Sequence, residues 1–465
     1  MARQSITRRE FLAAGVSGAT MLGTSPAAVA ASSGSAATAK PNLLVVFSDQ
    51  QHWNALGFRD DFFETPALDA FARESLVFEN AFCTTPQCSP SRSSLLTGFY
   101  PSKTRVMGNV GNSGGNPLAQ RTIATELAAA GYRTGYFGKW HLGRMAVAVE
   151  GWDRHEFKID DANTTVKSLA FLREPQSQER PFAIFASLNN PHDIYHFKGH
   201  RVDPPGKRIP LPDSWAKETF EHKPPVQKQY MLEDQGKAIW GRPRRMWEQY
   251  RDCYRAKTRL YDRQFGKIVA ELKRQGQWEN TIVVVTSDHG DSDCCNRLIF
   301  KGPYMYEHMV RIPLMIRLPK QFGGSGHGTL SGLQTIIADV APTIRDCCGL
   351  DARKADGFSL APTLTGKTPQ QSRDFVVSQY YGKQRWVNPI RMIRTADFKF
   401  NRYIRHGDEL YDLKNDPGEL VNLAADPGYA ARKKDLLGEL GGWIKANDDP
   451  FYSLKATTQS GEELG

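Results

Sequence analysis

Asn42-Leu-Leu-Val-Val-Phe-Ser48 runs straight into Asp49-Gln50-Gln51-His52, and this junction decides the fold class. The continuous apolar, partly β-branched run predicts a strand buried on both faces, as in a parallel sheet. The abrupt change to acid, amide and imidazole puts chemistry at the strand's carboxyl end. The same design recurs three times. Tyr132-Arg-Thr-Gly-Tyr-Phe137 leads into Gly138-Lys139-Trp140-His141-Leu142-Gly143. Phe182-Ala-Ile-Phe-Ala-Ser187 leads into Asn189-Asn190-Pro191-His192-Asp193, and Thr281-Ile-Val-Val-Val-Thr286 into Ser287-Asp288-His289-Gly290-Asp291. Helical stretches at 122–130 and 250–275 fall between strands. The expectation is an α/β protein with a large, mostly parallel sheet flanked by helices. Ligands of such sheets bind beyond the carboxyl ends of the strands, so the four clusters should share one rim.

The rim residues sort by chemistry. Asp49, Gln50, Asp288 and His289 offer two carboxylates, an amide oxygen and an imidazole. The oxygens suit a hard divalent cation, Ca²⁺, Mg²⁺ or Mn²⁺, and the imidazole also suits manganese. Lys139, His141, His192, Lys301 and Arg92 add positive charge and proton donors. Cations around a metal are what a doubly charged tetrahedral oxyanion requires. Any one of these lysines or histidines could equally be a surface or core residue; their joint placement favours a site.

Cys88-Ser-Pro-Ser-Arg-Ser-Ser-Leu-Leu-Thr-Gly98 adds a cysteine just ahead of a helix start. Ser89 is a good N-cap and Pro90 suits the first helical position. Residue 88 would then face the positive end of the helix dipole, beside the Arg92 guanidinium. The bland alternative is a buried thiol before an ordinary capped helix.

Cys-x-Pro-Ser-Arg followed by Leu-Thr-Gly resembles the signature of the type I sulfatases, in the alkaline phosphatase-like superfamily. The other clusters match that family in chain order. Asp49-Gln50 and Ser287-Asp288-His289-Gly290 resemble its metal pairs, and Gly138–Gly143 its lysine and histidine segment. Asn190-Pro191-His192 resembles the sulfate-contacting histidine, and Lys301-Gly-Pro-Tyr-Met-Tyr-Glu307 the segment with the last active-site lysine. Asp339-Val-Ala-Pro-Thr343, Asp356-Gly-Phe-Ser-Leu360, Glu409-Leu-Tyr-Asp-Leu413 and Asp416-Pro-Gly-Glu-Leu-Val-Asn422 extend the resemblance to about residue 443.

The resemblance implies a catalytic domain over 41–370 and a small C-terminal α+β domain with an antiparallel sheet over 371–465. It implies a hydrolase of sulfuric esters whose Cys88 is oxidised to Cα-formylglycine by a formylglycine-generating enzyme. One divalent cation, usually calcium, would be held by Asp49, Gln50, Asp288 and His289 together with residue 88. The hydrated residue 88 would attack sulfur, with Asp288 accepting the hydroxyl proton. His192 or Lys301 would protonate the leaving oxygen. His141 would then release sulfate by deprotonating the second hydroxyl, and Lys139 and Arg92 would stabilise charge.

Two departures bear on substrate. Cys294-Cys295-Asn296 stands where many Asp-Gln relatives carry Gly-Asp-His, so a substrate-contacting histidine is in doubt. The insertion at 195–247 is rich in proline and basic residues and contains Trp215, Trp240 and Trp247. Its aromatics either stack on sugars or pack the loop down. The expected substrate is a sulfated carbohydrate. A phosphodiester or phosphonate monoester hydrolase on the same scaffold is the nearest rival, and a non-catalytic binder of acidic glycans the rival of another class.

Thr7-Arg8-Arg9-Glu10-Phe11-Leu12, a short apolar run and Ala28-Val29-Ala30 read as a twin-arginine signal over 1–30, followed by a linker at 31–40. This implies the twin-arginine translocase as a partner and a periplasmic or secreted protein. No later run is apolar for long enough to span a bilayer, so no stable membrane anchor is expected. The net charge is +10, of which three arginines and one glutamate in 1–39 account for +2. A basic surface favours anionic partners. No nucleic-acid-binding motif appears, so nucleic acid is not expected. The seven cysteines are odd in number and lack zinc spacing.

Overall fold

The computed structural model describes residues 40–111, 115–202, 206, 208–383 and 385–464. The expected signal peptide at 1–30, and all of the expected linker except Lys40, lie outside the described residues.

The strands, in chain order, are β1 (Asn42–Asp49), β2 (Leu76–Phe82), β3 (Arg133–Gly138), β4 (Arg154–Glu156), β5 (Phe182–Pro191), β6 (Thr281–Ser287), β7 (Leu314–Arg317) and β8 (Thr329–Ile336). They form one eight-stranded sheet in the order β4-β3-β5-β1-β6-β7-β2-β8. All pairings are parallel except those of β7, which runs antiparallel to β6 and β2.

β1 is central, and its pattern explains its place. Leu44 and Val46 pack on one side of the sheet with Phe265 and Ile268. Leu43, Val45 and Phe47 pack on the other with Leu95 and Leu96. Both faces are covered, so every position from Leu43 to Phe47 is apolar. Each such side chain contributes roughly 1.5–3 kcal/mol when fully buried. The register lines up the strand ends: Asp49 pairs with Pro191, Ser48 with Ser287, and Gly138 with Ser187. The four polar clusters therefore do share one rim.

Helices α1 (Cys88–Thr97), α2 (Asp161–Arg173) and α3 (Arg244–Arg274) flank this sheet. A second sheet, four-stranded and antiparallel, follows in the order β12-β11-β10-β9. Its strands are β9 (Val376–Lys383), β10 (Trp386–Arg394), β11 (Phe398–Tyr403) and β12 (Asp408–Asp412). Helix α4 (Ala430–Ala446) covers it with Leu436, Leu440 and Ile444 against Val377, Ile393, Phe400 and Leu410. β9 lies beside the segment entering α1: Gln379 N donates to Thr84 O at 2.7 Å. All seven cysteines are free thiols. Among the described residues, no helix is long and apolar enough to cross a membrane.

Candidate active site

The rim converges on Cys88. Its Sγ lies 3.6 Å from Asp49 Oδ1, 3.3 Å from His289 Nε2, 3.2 Å from Lys301 Nζ and 3.9 Å from Lys139 Nζ. Lys139 follows Gly138, whose φ of +102° a side chain would strain; a Cβ there would stand 2.0 Å from Ser187 O. Glycine thus lets β3 close on β5 and turn Lys139 inward.

The start of α1 differs from the sequence expectation. Helix α1 begins at Cys88, and Gln87, extended at φ −142° and ψ 145°, occupies the N-cap. Ser89 is inside the helix. Its backbone N–H donates instead to Asn109 Oδ1 at 3.0 Å, and its hydroxyl donates to His141 O. A distant asparagine supplies the capping oxygen, which frees the serine.

Arg92 lies wholly buried beneath this rim. Its Nε donates to Asp288 Oδ2 at 2.9 Å and its Nη2 to Asp49 Oδ2 at 2.8 Å. Nη1 donates to Lys139 O and Ser187 Oγ, both at 2.6 Å. The guanidinium is committed to holding the two carboxylates and the ends of β3 and β5 together.

Each carboxylate consequently turns one oxygen inward. Asp49 Oδ2 takes Arg92 and also Lys139 Nζ at 2.8 Å, leaving Oδ1 toward Cys88. Asp288 Oδ1 takes Gln50 N at 3.1 Å and lies 3.6 Å from His289 Nε2. His289 Nδ1 meets Gly290 O at 2.8 Å. A carbonyl only accepts, so Nδ1 carries the proton and Nε2 faces the centre. Burial and Lys301 oppose a charged ring, but Asp288 and Cys88 prevail and raise its pKa, so a bound cation would take the Nε2 lone pair in place of a proton. One ligand atom each from Asp49, Cys88, Asp288 and His289 falls within 4.8 Å of the others. Gln50 adds Oε1, now held by Lys301 Nζ at 2.7 Å. Two inward carboxylate oxygens, an amide oxygen and an aimed imidazole fit a divalent cation.

The electrostatics agree. Burial raises Asp49, but Lys139, His192, Arg92 and Lys301 outweigh it and hold the carboxyl well below its usual range. Burial and the Asp49 charge push Asp288 up to about 7, against His289 and Arg92. Burial and Asp49 oppose a Cys88 anion, yet Lys139, Lys301 and His289 prevail, and the thiol is held well below its ordinary value. Negative charge at position 88 is thus favoured. Burial, then Lys139, lower His192 to about 4, so its ring is neutral near pH 7. Its Nε2 stands 3.9 Å from Asp49 Oδ1. His141 is half-buried beside the site, and among the described residues its Nδ1 has no hydrogen-bond partner.

Residues 41–350 match the protein family Sulfatase, and 297–445 match the family described as N-sulphoglucosamine sulphohydrolase, C-terminal. The chain belongs to the sulfatase family. It is a hydrolase acting on sulfuric esters, on the alkaline phosphatase-like fold. A Delta 4,5-hexuronate-2-O-sulfatase of Bacteroides thetaiotaomicron is 30% identical, over 90% of this chain and 91% of that protein. A solved 2-O GAG sulfatase superposes with a TM-score of 0.80 at 27% identity, covering 90% of this chain and 95% of that one. The phosphonate monoester hydrolase of Agrobacterium radiobacter shares the fold, with a TM-score of 0.73 at 23% identity over 92% and 99% of the two chains. The Asp49, Cys88, Asp288 and His289 cluster is consistent with a sulfatase metal and formylglycine site.

A cavity of about 190 Å³ adjoins this sulfatase centre through His192 and Lys301. At about 30 Å³ per liquid water, it has room for a sulfate-sized group and part of its carrier. Gln87, Asn109, Tyr195, Gln235, Tyr380 and Lys383 also line it. The insertion at 195–247 contributes Tyr195 and Gln235, but none of its three tryptophans. Trp247 is buried against Trp215, with ring centres 5.9 Å apart, and Trp240 packs edge-on to Phe220. These aromatics hold the insertion down; they are not a stacking platform. Cys294, Cys295 and Asn296 do not line the cavity either. The Asn296 amide is spent on Glu218, Gly418 and Glu419.

Sequence reasoning missed Asp291, Gln87 and Lys383. Asp291 was visible as the last residue of the Ser287–Asp291 cluster, two beyond His289. Lys383 carried no local signal.

Proposed function

We propose that this sulfatase releases inorganic sulfate from a sulfated carbohydrate, with residue 88 as formylglycine and one divalent cation, most simply Ca²⁺. The observation that carries the reading is the setting of Cys88: a buried position where three cationic groups outweigh a carboxylate in favour of an anion. The sulfated-glycan names of the relatives at 30% and 27% identity support the substrate class.

Asp49, Gln50, Asp288 and His289 would hold the cation, which would supply Lewis-acid polarisation of the sulfate oxygens. Arg92 keeps the two carboxylates in place. Lys139 and Lys301 flank position 88 and would meet the oxygens of an incoming sulfate. His192 and Lys301 reach the cavity, so proton delivery to the leaving oxygen falls to this pair. His192 is neutral in the free protein and gains a proton most readily when an anion arrives beside it. His141, half-buried and with a ring nitrogen free, is the base for the return step. The arginine pair at Arg8-Arg9 supports twin-arginine export to the periplasm or beyond, after maturation in the cytoplasm.

The test is a mass measurement on the tryptic peptide containing Cys88, from a host with the modifying enzyme, combined with turnover assays. Replacement of –CH₂SH by –CHO and preference for sulfate over phosphonate esters are expected. A peptide that is wholly cysteine would end the formylglycine reading. Faster turnover of a phosphonate monoester than of any sulfate ester would favour the rival hydrolase. A modified protein without turnover of either would favour the glycan binder.

A further inference from the structure

The cavity holds a cation that the reaction leaves unused. Lys383, at the end of β9, lines it together with Lys301 and His192. Its Nζ is fixed by Asp234 Oδ2 at 2.6 Å. Asp234 is not part of the lining, and among the described residues no carboxylate lines the cavity. The neighbouring acceptors are also unused. Gln87 Nε2 donates to Gly382 O at 2.7 Å. A carbonyl only accepts, so the amide's orientation is settled and Oε1 is left over. Among the described residues, that buried Oε1 and Gln235 Oε1 have no hydrogen-bond partner. Buried acceptors are costly unless something donates to them.

We propose that Gln87, Gln235 and Lys383 form a subsite for the sugar bearing the reacting ester. The two amide oxygens accept from its hydroxyls, and Lys383 pairs with a second anionic group on that sugar, a carboxylate or a further sulfate. Three separate segments meet here: the cap of α1, the insertion and the tip of β9. The geometry matches a small polar ring with one fixed charge better than a neutral aryl group, which would leave both acceptors without partners. This rests on the sulfatase reading of the adjoining centre.

Two matched substrate pairs test it: a sulfated uronate against its methyl ester, and a disulfated hexosamine against its monosulfated form. The expected wild-type result is a kcat/KM ratio of about tenfold or more in favour of the more anionic member of at least one pair. The pair that responds identifies the anion. Lys383→Met should bring that ratio close to one, mainly through KM, and Lys383→Arg should keep most of it. Lys383→Gln serves if the methionine variant does not fold. A wild-type ratio near one in both pairs, or an unchanged ratio in Lys383→Met, would overturn the subsite. If the protein turns over no sulfate ester, the substrate reading fails separately. The ratio of calorimetric Kd values for the same compounds then decides the role of Lys383.

Discussion

Asp291 Oδ2 holds Gln50 Nε2 at 2.7 Å, and so decides which end of that amide faces Cys88. The carboxylate is itself pinned: Tyr250 OH donates to both of its oxygens, at 3.1 and 3.2 Å, and Asp293 N donates to Oδ1 at 2.8 Å. Gln50 sits at φ 72°, where β1 breaks, so the backbone alone does not orient the side chain. Asp291 is a positioning residue that keeps Oε1 inward. Asp291→Leu should weaken Ca²⁺ binding about 10–100-fold by calorimetry, the usual effect of losing an outer partner of a ligand. Tyr250→Phe should weaken it less. An unchanged Kd in Asp291→Leu would show that Gln50 needs no help.

Cation binding should depend on pH through Asp288. Burial and Asp49 raise its carboxyl to about 7, and a hard cation binds only the ionised form. Protons therefore compete below pH 7 and not above it. Apparent Ca²⁺ affinity should fall by up to about tenfold per pH unit below 7 and level off above it. Calorimetry in buffers of different ionisation enthalpy should show proton release near pH 7 that vanishes by about pH 9. Equal affinity at pH 6 and pH 8, without proton release, would mean that Asp288 is already ionised in the free protein.

Most of the rim was legible because burial on both faces forces an unbroken apolar run. β1, β5 and β6 show it, and each ends where solvent and chemistry begin. β2 was not legible: Glu79 and Asn80 interrupt it, and the structure leaves both only half-buried. Nothing local in Leu314–Arg317 encodes that β7 runs antiparallel, since side-chain alternation is the same in either direction. Ser89 looked like a cap because serine prefers that position, but Asn109, twenty residues on, supplies the capping oxygen. Tryptophans in a basic loop have the same composition whether they face a ligand or pack inward. The second wall of the cavity depends on β9 reaching α1 across nearly 300 residues, a tertiary fact that no motif records.

Arg92 should matter more to the empty site than to the filled one. It is the buried cation shared by Asp49 and Asp288, and a bound metal would share the same two carboxylates. Arg92→Met leaves them facing each other, with Lys139 still paired to Asp49 at 2.8 Å. Breaking a buried ion pair from one side typically costs about 3–5 kcal/mol. Urea unfolding in EDTA should show a loss of that order for Arg92→Met. In saturating Ca²⁺ the loss should be smaller, because the cation neutralises the unpaired buried charge and binds the folded state alone. Stability is the proper readout here, since Arg92 also belongs to the Cys-x-Pro-Ser-Arg motif, and lost activity could reflect lost maturation. Equal destabilisation with and without Ca²⁺ would show that Arg92 and the cation do not act on the same carboxylates.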